Sequence, residues 1–387
     1  MNCYLDWAST TPVLPKALDR YLEISLAFPG NPSSLHTEGK KAAALLSNLR
    51  SNTAELLGIT ERNLVFTSGG TESNSLIHTS ILRNKRRGEI ILSGIDHPSV
   101  FDYEKIYKDF GFTVRILRAP GGYIDINDFE MYLTEKTQFI SIMLVNNVTG
   151  TIQPVKELVK ITRIFEQKTG KKIHFHTDAV QALGKIDYSL KDLDVDSASF
   201  SAHKIQGPNG IGMLYAKKFP QMIQSGGGQE FSYRHGTESL ASISAFNTAL
   251  QRVISNYEEN YKMASVLQKI IIENIKNYPD LYTLPINFDN YAVSPYITTI
   301  CCRNIPAEII TRVMNDKGFS ISAGSACSSK DKKKRERVLR NMGFDNEAAS
   351  TAIRVSTGPT TPIEQVQQFC NTLNYEVELL HKLLGKR

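Results

Sequence analysis

Residues 138–178 read QFISIMLVNNVTGTIQPVKELVKITRIFEQKTGKKIHFHTD, and their pattern decides the fold class. A β-rich apolar run at 138–145 is followed by a polar turn. Leu158, Val159, Ile161, Ile164 and Phe165 then fall on one 3.6-residue stripe, which predicts a helix over 155–167. A second β-rich run, KIHFH at 172–176, closes the unit. Strand, helix, strand at this spacing is the pattern of a parallel crossover, because parallel neighbours need a connection long enough to hold a helix.

The same alternation extends outward in both directions. NLVFT (63–67), EIILS (89–93) and FTVRIL (112–117) precede the unit, and SASFS (197–201) follows it. GIGMLYAK (210–217) predicts a further strand, as an antiparallel addition. Strands rich in Val and Ile that alternate with helices predict an α/β fold whose mainly parallel sheet is covered on both faces. After about residue 240 the pattern changes. One long helical stretch is expected over 241–277, short strands around 294–302 and 319–322, and an amphipathic helix over 362–384. In that last helix Val366, Phe369, Leu373, Val377, Leu380 and Leu383 share a stripe. The expected organisation is a large α/β domain over 15–255 and a small α+β domain made of 1–14 and 256–387.

Composition narrows the class further. The 387 residues carry Lys+Arg 45 and Asp+Glu 39, a net charge of +6, with 41% hydrophobic and 22% charged residues. These values are ordinary for a soluble globular chain and exclude a mainly disordered, collagen-like or disulfide-dense one. The longest strongly apolar stretch, 139–145, is interrupted by Ser141 and is far short of the roughly 20 residues of a membrane span. The opening MNCYLDWAST carries Asp6 and no basic-then-apolar leader, so no signal peptide is expected and the compartment is expected to be the cytosol. Five cysteines, with no C-x-x-C pair, are neither a disulfide framework nor a structural zinc site. Cys301 and Cys302 lie in the apolar run YITTICC and read as small packed hydrophobes. Cys327 lies in the small-residue stretch SAGSACSS (322–329), where a thiol is expected to be exposed enough to react. The basic knot at 83–87 closes a helical segment, where cations meet the C-terminal dipole. KDKKKRER (330–337) has no aromatic and is a weak candidate for nucleic acid; its place just after Cys327 suits a docking loop for an acidic partner.

Chemistry gathers at the ends of the strands, where open α/β sheets bind their ligands. TSGGTES (67–73) follows a strand and opens a helix, so its glycines and free N–H groups can cradle a phosphate. Asp178 and Gln181 follow the run at 172–176. Lys204 follows the run at 197–201 and precedes a glycine-rich loop, where partial desolvation suits an amine for Schiff-base chemistry. Arg354, in the apolar run AIRVSTG, needs an anionic partner, which a substrate carboxylate would supply. Phosphate cradle, carboxylate, amine and guanidinium in this order describe a pyridoxal phosphate site that handles an amino acid. His174 and His176 are a poor metal site, with no third ligand in view.

The chain resembles the cysteine desulfurases, fold-type I pyridoxal phosphate enzymes grouped with the class V aminotransferases. The likeness runs from LDWASTTP at Leu5 and GNPSSLH at Gly30 through VFTSGGTES, VNNVTGTIQP, HTDAVQALGK, SFSAHKIQGPNGIG, GGGQE, RHGT and SAGSACSS to AIRVSTG. It implies a large domain with a seven-stranded sheet and a homodimer. Lys204 would carry the cofactor as a Schiff base and shuttle the substrate α-proton, and His97 would stack on the ring and assist. Asp178 would pair with the ring nitrogen, and Asn147 and Gln181 with the ring oxygen. Gly70, Thr71, Ser201 and His203 would hold the phosphate, joined by Thr237 of a neighbouring subunit. Arg354, helped by Asn31, would grip the carboxylate of L-cysteine. Cys327 would take the sulfur as a persulfide, releasing L-alanine, for a sulfur-acceptor protein of iron–sulfur assembly or tRNA thiolation. The sequence departs from the family pattern at Val148, Ala202 and His235 and in the basic loop at 330–337. Selenocysteine lyase and a plain class V aminotransferase are the neighbouring alternatives, and a thiol at Cys327 argues against the second.

Overall fold

In a computed structural model that describes residues 3–324 and 332–384, the unit at 138–178 folds as read. Strand Thr137–Ser141 leads to helix Val155–Thr169 and then to strand His174–Asp178, the two strands running parallel with Phe139 opposite His174. The helix stops at Gly170, whose φ of 69° is the left-handed end that glycine adopts without a Cβ clash.

Seven strands form one sheet in the spatial order Leu64–Thr67, Gly212–Ala216, Ser197–Ser201, His174–Asp178, Thr137–Ser141, Glu89–Ser93, Thr113–Leu117. Gly212–Ala216 is antiparallel to both of its neighbours, and every other pairing is parallel. Alternate residues enter two separate cores, as a sheet buried on both faces requires: Phe66, Ile91 and Ile140 on one side, Val65, Ile90 and Phe139 on the other. The carboxyl ends of Leu64–Thr67, Ser197–Ser201 and His174–Asp178 therefore share one edge.

A four-stranded antiparallel sheet follows, ordered Ser322–Ala323, Ala352–Ser356, Ile297–Cys302, Tyr282–Thr283. Its core joins helices Tyr257–Lys276, Ala307–Asp316 and Ile363–Leu384 through Leu267, Ile310, Phe369 and Leu373. The N-terminal segment ties the two sheets together. Cys3–Tyr4 pairs in parallel with Phe319–Ser320, Trp7 N–H donates to Ser356 O, and Thr11 N–H donates to His203 O.

Three expectations shift. The run at 138–145 is a strand only to Ser141; Ile142 and Leu144 continue, buried, by donating to His176 O and Asp178 O. The helical stretch at 241–277 is two helices, Leu240–Ser255 and Tyr257–Lys276, parted at Asn256. Ser and Asn there compete for backbone hydrogen bonds and favour helix ends. The segment at 319–322 divides at Ile321 into two short strands that join different sheets. No helix among the described residues is long and apolar enough to cross a membrane.

Candidate active site

Asp178 and Ser201 are the last residues of adjacent strands, which sets them side by side at the shared edge. Between them and the strand Leu64–Thr67, helix Gly70–Ile81 begins. Its first N–H groups have no partner within the helix and present the positive end of the dipole. Glycine keeps this turn close to its neighbour: a Cβ on Gly70 would stand 2.6 Å from Val180 Cγ2 and push that side chain aside.

A cavity of about 300 Å³ opens at this edge. Gly70, Thr71, Ser201 and His203 are among the residues that line it, as are His97, Asn147, Asp178, Gln181 and Lys204. Nine of the residues singled out from sequence thus converge. The Asp178 carboxylate accepts from Asn74 Nδ2 on one oxygen and from Val180 N on the other, at 2.9 and 3.0 Å. Lys204, buried, donates from Nζ to Ala8 O at 2.8 Å and also to Ser9 O. Gln181 donates to Ala8 O and accepts from Lys185 Nζ, both at 2.8 Å. Burial, with Lys204 and Arg354 nearby, brings the Lys185 ammonium down to about 7. Burial and the cations Lys204 and Lys185 bring His203 down to about 4, so it stands neutral. His97 caps the short helix Pro98–Phe101 through Nδ1, which accepts from Ser99 N–H at 3.1 Å.

Three expected residues lie elsewhere, and a fourth is outside the described residues. Arg354 is wholly buried and does not line the cavity; Nη1 donates to Asn147 O at 2.9 Å, and Nη2 to Asp6 Oδ1 at 2.7 Å and Ser322 Oγ at 3.2 Å. The anion foreseen for this arginine is supplied by the chain itself, in Asp6, while buried Nε has no hydrogen-bond partner among the described residues. Asn31 is exposed and its Oδ1 caps Ser33 N–H, and Thr237 is exposed. Cys327 lies outside the described residues. The other four cysteines are free thiols, all buried.

The departures from pattern have physical places. Val148 packs in the main core, and its carbonyl accepts from Thr299 Oγ1 at 2.6 Å. Ala202 is buried in the same core, and His235 Nδ1 accepts from Gly228 N–H, bracing the glycine-rich turn. The basic run is not all solvated loop. From Lys332 it is helical, and Arg337 turns inward, lying 3.9 Å over the Phe101 ring and donating to Gly94 O and Asp96 O beside His97. Residues 330 and 331 lie outside the described residues. The knot at 83–87 is exposed, and Arg87 donates to Leu82 O at the end of its helix.

Sequence reading missed Ser9, Ser99, Met143 and Val180 on the cavity wall, and Asn74, Lys185 and Asp6 behind it. Asn74 had a signal, since it falls one turn after Gly70 on a helix whose start was already in view. Asp6 had none, because only the tertiary fold brings it to Arg354.

Comparison with known proteins gives the family and the fold. The family model described as Aminotransferase class-V matches residues 3–369. The chain belongs to this family. Among its relatives, a protein named cysteine desulfurase IscS from Buchnera aphidicola subsp. Schizaphis graminum is 35% identical, over 98% of this chain and 94% of its own. A protein named cysteine desulfurase from Homo sapiens is 33% identical over 94% of this chain and 79% of its own. A solved structure of a NifS-like protein superposes with a TM-score of 0.88 at 30% identity, covering 98% of this chain and 99% of the other.

Proposed function

We propose that the protein is a pyridoxal phosphate-dependent cysteine desulfurase that moves the sulfur of L-cysteine to Cys327 and releases L-alanine. The observation that carries this is the convergence of a buried amine, Lys204, with the Asp178 carboxylate and a helix N-terminus around one cavity. The residues fit the cofactor. The Asp178 oxygens keep lone pairs for a protonated ring nitrogen beyond those given to Asn74 and Val180, and the glycine-lined start of the helix leaves room for a phosphate. When bound, pyridoxal phosphate supplies the electron sink that lets a carbon beside a carboxylate lose its proton.

The chain's own residues do the remaining work. Asp178 keeps the ring nitrogen protonated, while neutral His203 and Ser201 donate to the phosphate with Thr71 and Gly70. Gln181, its amide fixed by Ala8 and Lys185, offers Nε2 to the ring oxygen beside Asn147. Lys204 would take the substrate α-proton, and His97 would stack on the ring and assist the transfer. Arg354, whose Nε has no hydrogen-bond partner among the described residues, would receive the substrate carboxylate beside Asn147, with Asn31 as its helper. The Cys327 thiolate attacks the substrate sulfur: an S–S bond forms, and the C–S bond breaks with its electron pair left on the carbon skeleton. That skeleton takes up two protons, one at the β-carbon and one at the α-carbon in place of the proton Lys204 removed, to become L-alanine. An acceptor protein of iron–sulfur assembly or tRNA thiolation then takes the persulfide sulfur.

A homodimer is part of this reading. Leu18, Leu22 and Leu26 repeat at four-residue spacing on helix Pro15–Ala27 and are 51%, 60% and 76% exposed, with Leu35 at 88% nearby in sequence. Exposed apolar faces of this kind mark association surfaces. A partner subunit would cover the face and bring exposed Thr237 to its neighbour's phosphate. Borohydride reduction of the loaded protein followed by peptide mapping tests the cofactor assignment. The pyridoxyl group should sit on Lys204; its recovery on Lys185, or on no lysine, would reject it.

A further inference from the structure

The donors and acceptors around Asn74 form a closed set with a direction. Asn74 is wholly buried on helix Gly70–Ile81 and does not line the cavity. Its Nδ2 lies 2.9 Å from Asp178 Oδ2 and 2.9 Å from Ser99 Oγ, and its Oδ1 lies 3.0 Å from His176 Nε2. A carboxylate only accepts, so the amide nitrogen must face Asp178; the reversed amide would set two acceptors against each other. Oδ1 then faces His176, whose Nε2 must carry a proton. Burial, with His78 and His174 nearby, holds that ring neutral. Its bare Nδ1 therefore accepts the hydroxyl proton of Ser197 at 2.8 Å, and Ser197 Oγ in turn accepts from His174 Nε2 at 2.7 Å.

The other branch is fixed from its far end. The Ser99 backbone N–H can only donate, and it points at His97 Nδ1 from 3.1 Å, so that nitrogen is the acceptor. Ser99 Oγ, 2.8 Å from the same nitrogen, donates to it as well and takes the second Asn74 N–H on its lone pair. Neutral His97 then carries its proton on Nε2, the nitrogen left for whatever fills the cavity. The two branches are set independently, one by a carboxylate and one by a backbone amide, and they agree at Asn74.

We propose that Asn74 is a positioning residue that joins the two halves of the site: one amide group orients Asp178 directly and, by holding Ser99 Oγ as a second donor to His97 Nδ1, reinforces the Nε2 tautomer that the Ser99 backbone N–H favours. This rests on the assignment of Asp178 and His97 to the cofactor ring. It accounts for a fully buried amide whose nitrogen and oxygen both bond to site residues or to the histidine behind them.

The test compares the full chain with its Asn74→Ala and Ser99→Ala variants. Each is labelled with ¹⁵N-histidine and read by long-range proton–nitrogen correlation without cofactor, at about pH 8.5, well above the ordinary histidine range. Affinity for added pyridoxal phosphate is measured in parallel. The wild type should show protonated Nε2 and bare Nδ1 on both His176 and His97. Ser99→Ala should leave His176 unchanged and move His97 toward mixed tautomers. Asn74→Ala should alter both rings and weaken pyridoxal phosphate binding by about tenfold or more, the size of a lost hydrogen bond to a charged group. A wild-type His176 protonated on Nδ1 overturns the proposal, as does an Asn74→Ala protein with unchanged His97 and cofactor affinity. Should Asn74→Ala fail to fold, an unchanged His97 signal in Ser99→Ala overturns it. A wild type that binds no pyridoxal phosphate rejects the cofactor assignment, while the tautomer signals still decide the junction.

Discussion

The Asp6 carboxylate meets the Arg354 guanidinium at 2.7 Å although 348 residues separate them, and Arg354 is completely shielded from solvent. The first strand-like segment of the chain is thereby clamped to the strand Ala352–Ser356, and a buried cation is neutralised without a ligand. Breaking such a pair from one side leaves an uncompensated charge, whereas removing both charges for apolar groups is often close to neutral.

Asp6→Asn should therefore lower the unfolding free energy by roughly 3 kcal/mol, and Asp6→Asn with Arg354→Met should recover most of it. Urea titration of the two variants checks this. A double variant no more stable than Asp6→Asn alone would show that the pair is not the source of the loss.

Thiol reactivity should single out one position. Burial pushes Cys3 up to about 11, Cys301 and Cys370 up to about 12, and Cys302 higher still, so none of these supplies appreciable thiolate near neutral pH. Brief iodoacetamide treatment of the native protein at about pH 8 should label Cys327 and leave those four, as read by peptide mass analysis. Equal labelling of Cys302 would contradict this.

Acid should destabilise the fold through its buried histidines. Desolvation takes His78 down to about 3 and moves His174 and His176 in the same direction. From about pH 6.5 down to about 3 the unfolded chain binds a proton at position 78 that the native protein refuses, so stability falls as pH drops through that window. The slope is about 1.4 kcal/mol per pH unit for each such group. His78→Phe keeps a ring against Phe139, now 5.0 Å away edge-on, and Tyr107 keeps its bond to the residue-78 carbonyl. Unfolding free energy measured against pH should be flatter in that variant by about this slope. An unchanged slope would place the acid sensitivity elsewhere.

Arg337 fixes the helix that follows the Cys327 segment to the turn before His97, by stacking on Phe101 and donating to Gly94 O and Asp96 O. Arg337→Ala should cost roughly 2 kcal/mol of stability. Arg337→Lys should restore less than half of it, because an ammonium cannot reproduce the planar fork. Thermal unfolding of the two proteins distinguishes them; full rescue by lysine would reduce the contact to charge alone.

Local patterns reveal most of the sheet, because period-two and period-3.6 stripes are written over five to fifteen adjacent residues in strands such as Ser197–Ser201 and helices such as Val155–Thr169. Gly70, Asp178 and Lys204 were legible for a related reason: each ends or follows such an element, and strand ends gather at one edge. What lay hidden is what tertiary contact alone creates. Nothing near Asp6 in sequence announces Arg354, and nothing near Asn74 announces Ser99 or His176. Asn256 interrupts a helical stripe that hydrophobic spacing carries straight through, since a cap is one residue's choice of hydrogen bonds and leaves the apolar period intact. Arg337 was legible as charge and not as position, because a guanidinium with a long apolar stem can face either solvent or a ring.

Turnover of L-cysteine by the pyridoxal phosphate-loaded protein with a thiol reductant, with L-alanine and sulfide quantified together, tests the central claim most directly. Equal amounts of the two products from the wild type, and neither at an appreciable rate from Cys327→Ala, are the predicted result. Cofactor bound at Lys204 with no alanine formed, or sulfide released by Cys327→Ala at the wild-type rate, would contradict it.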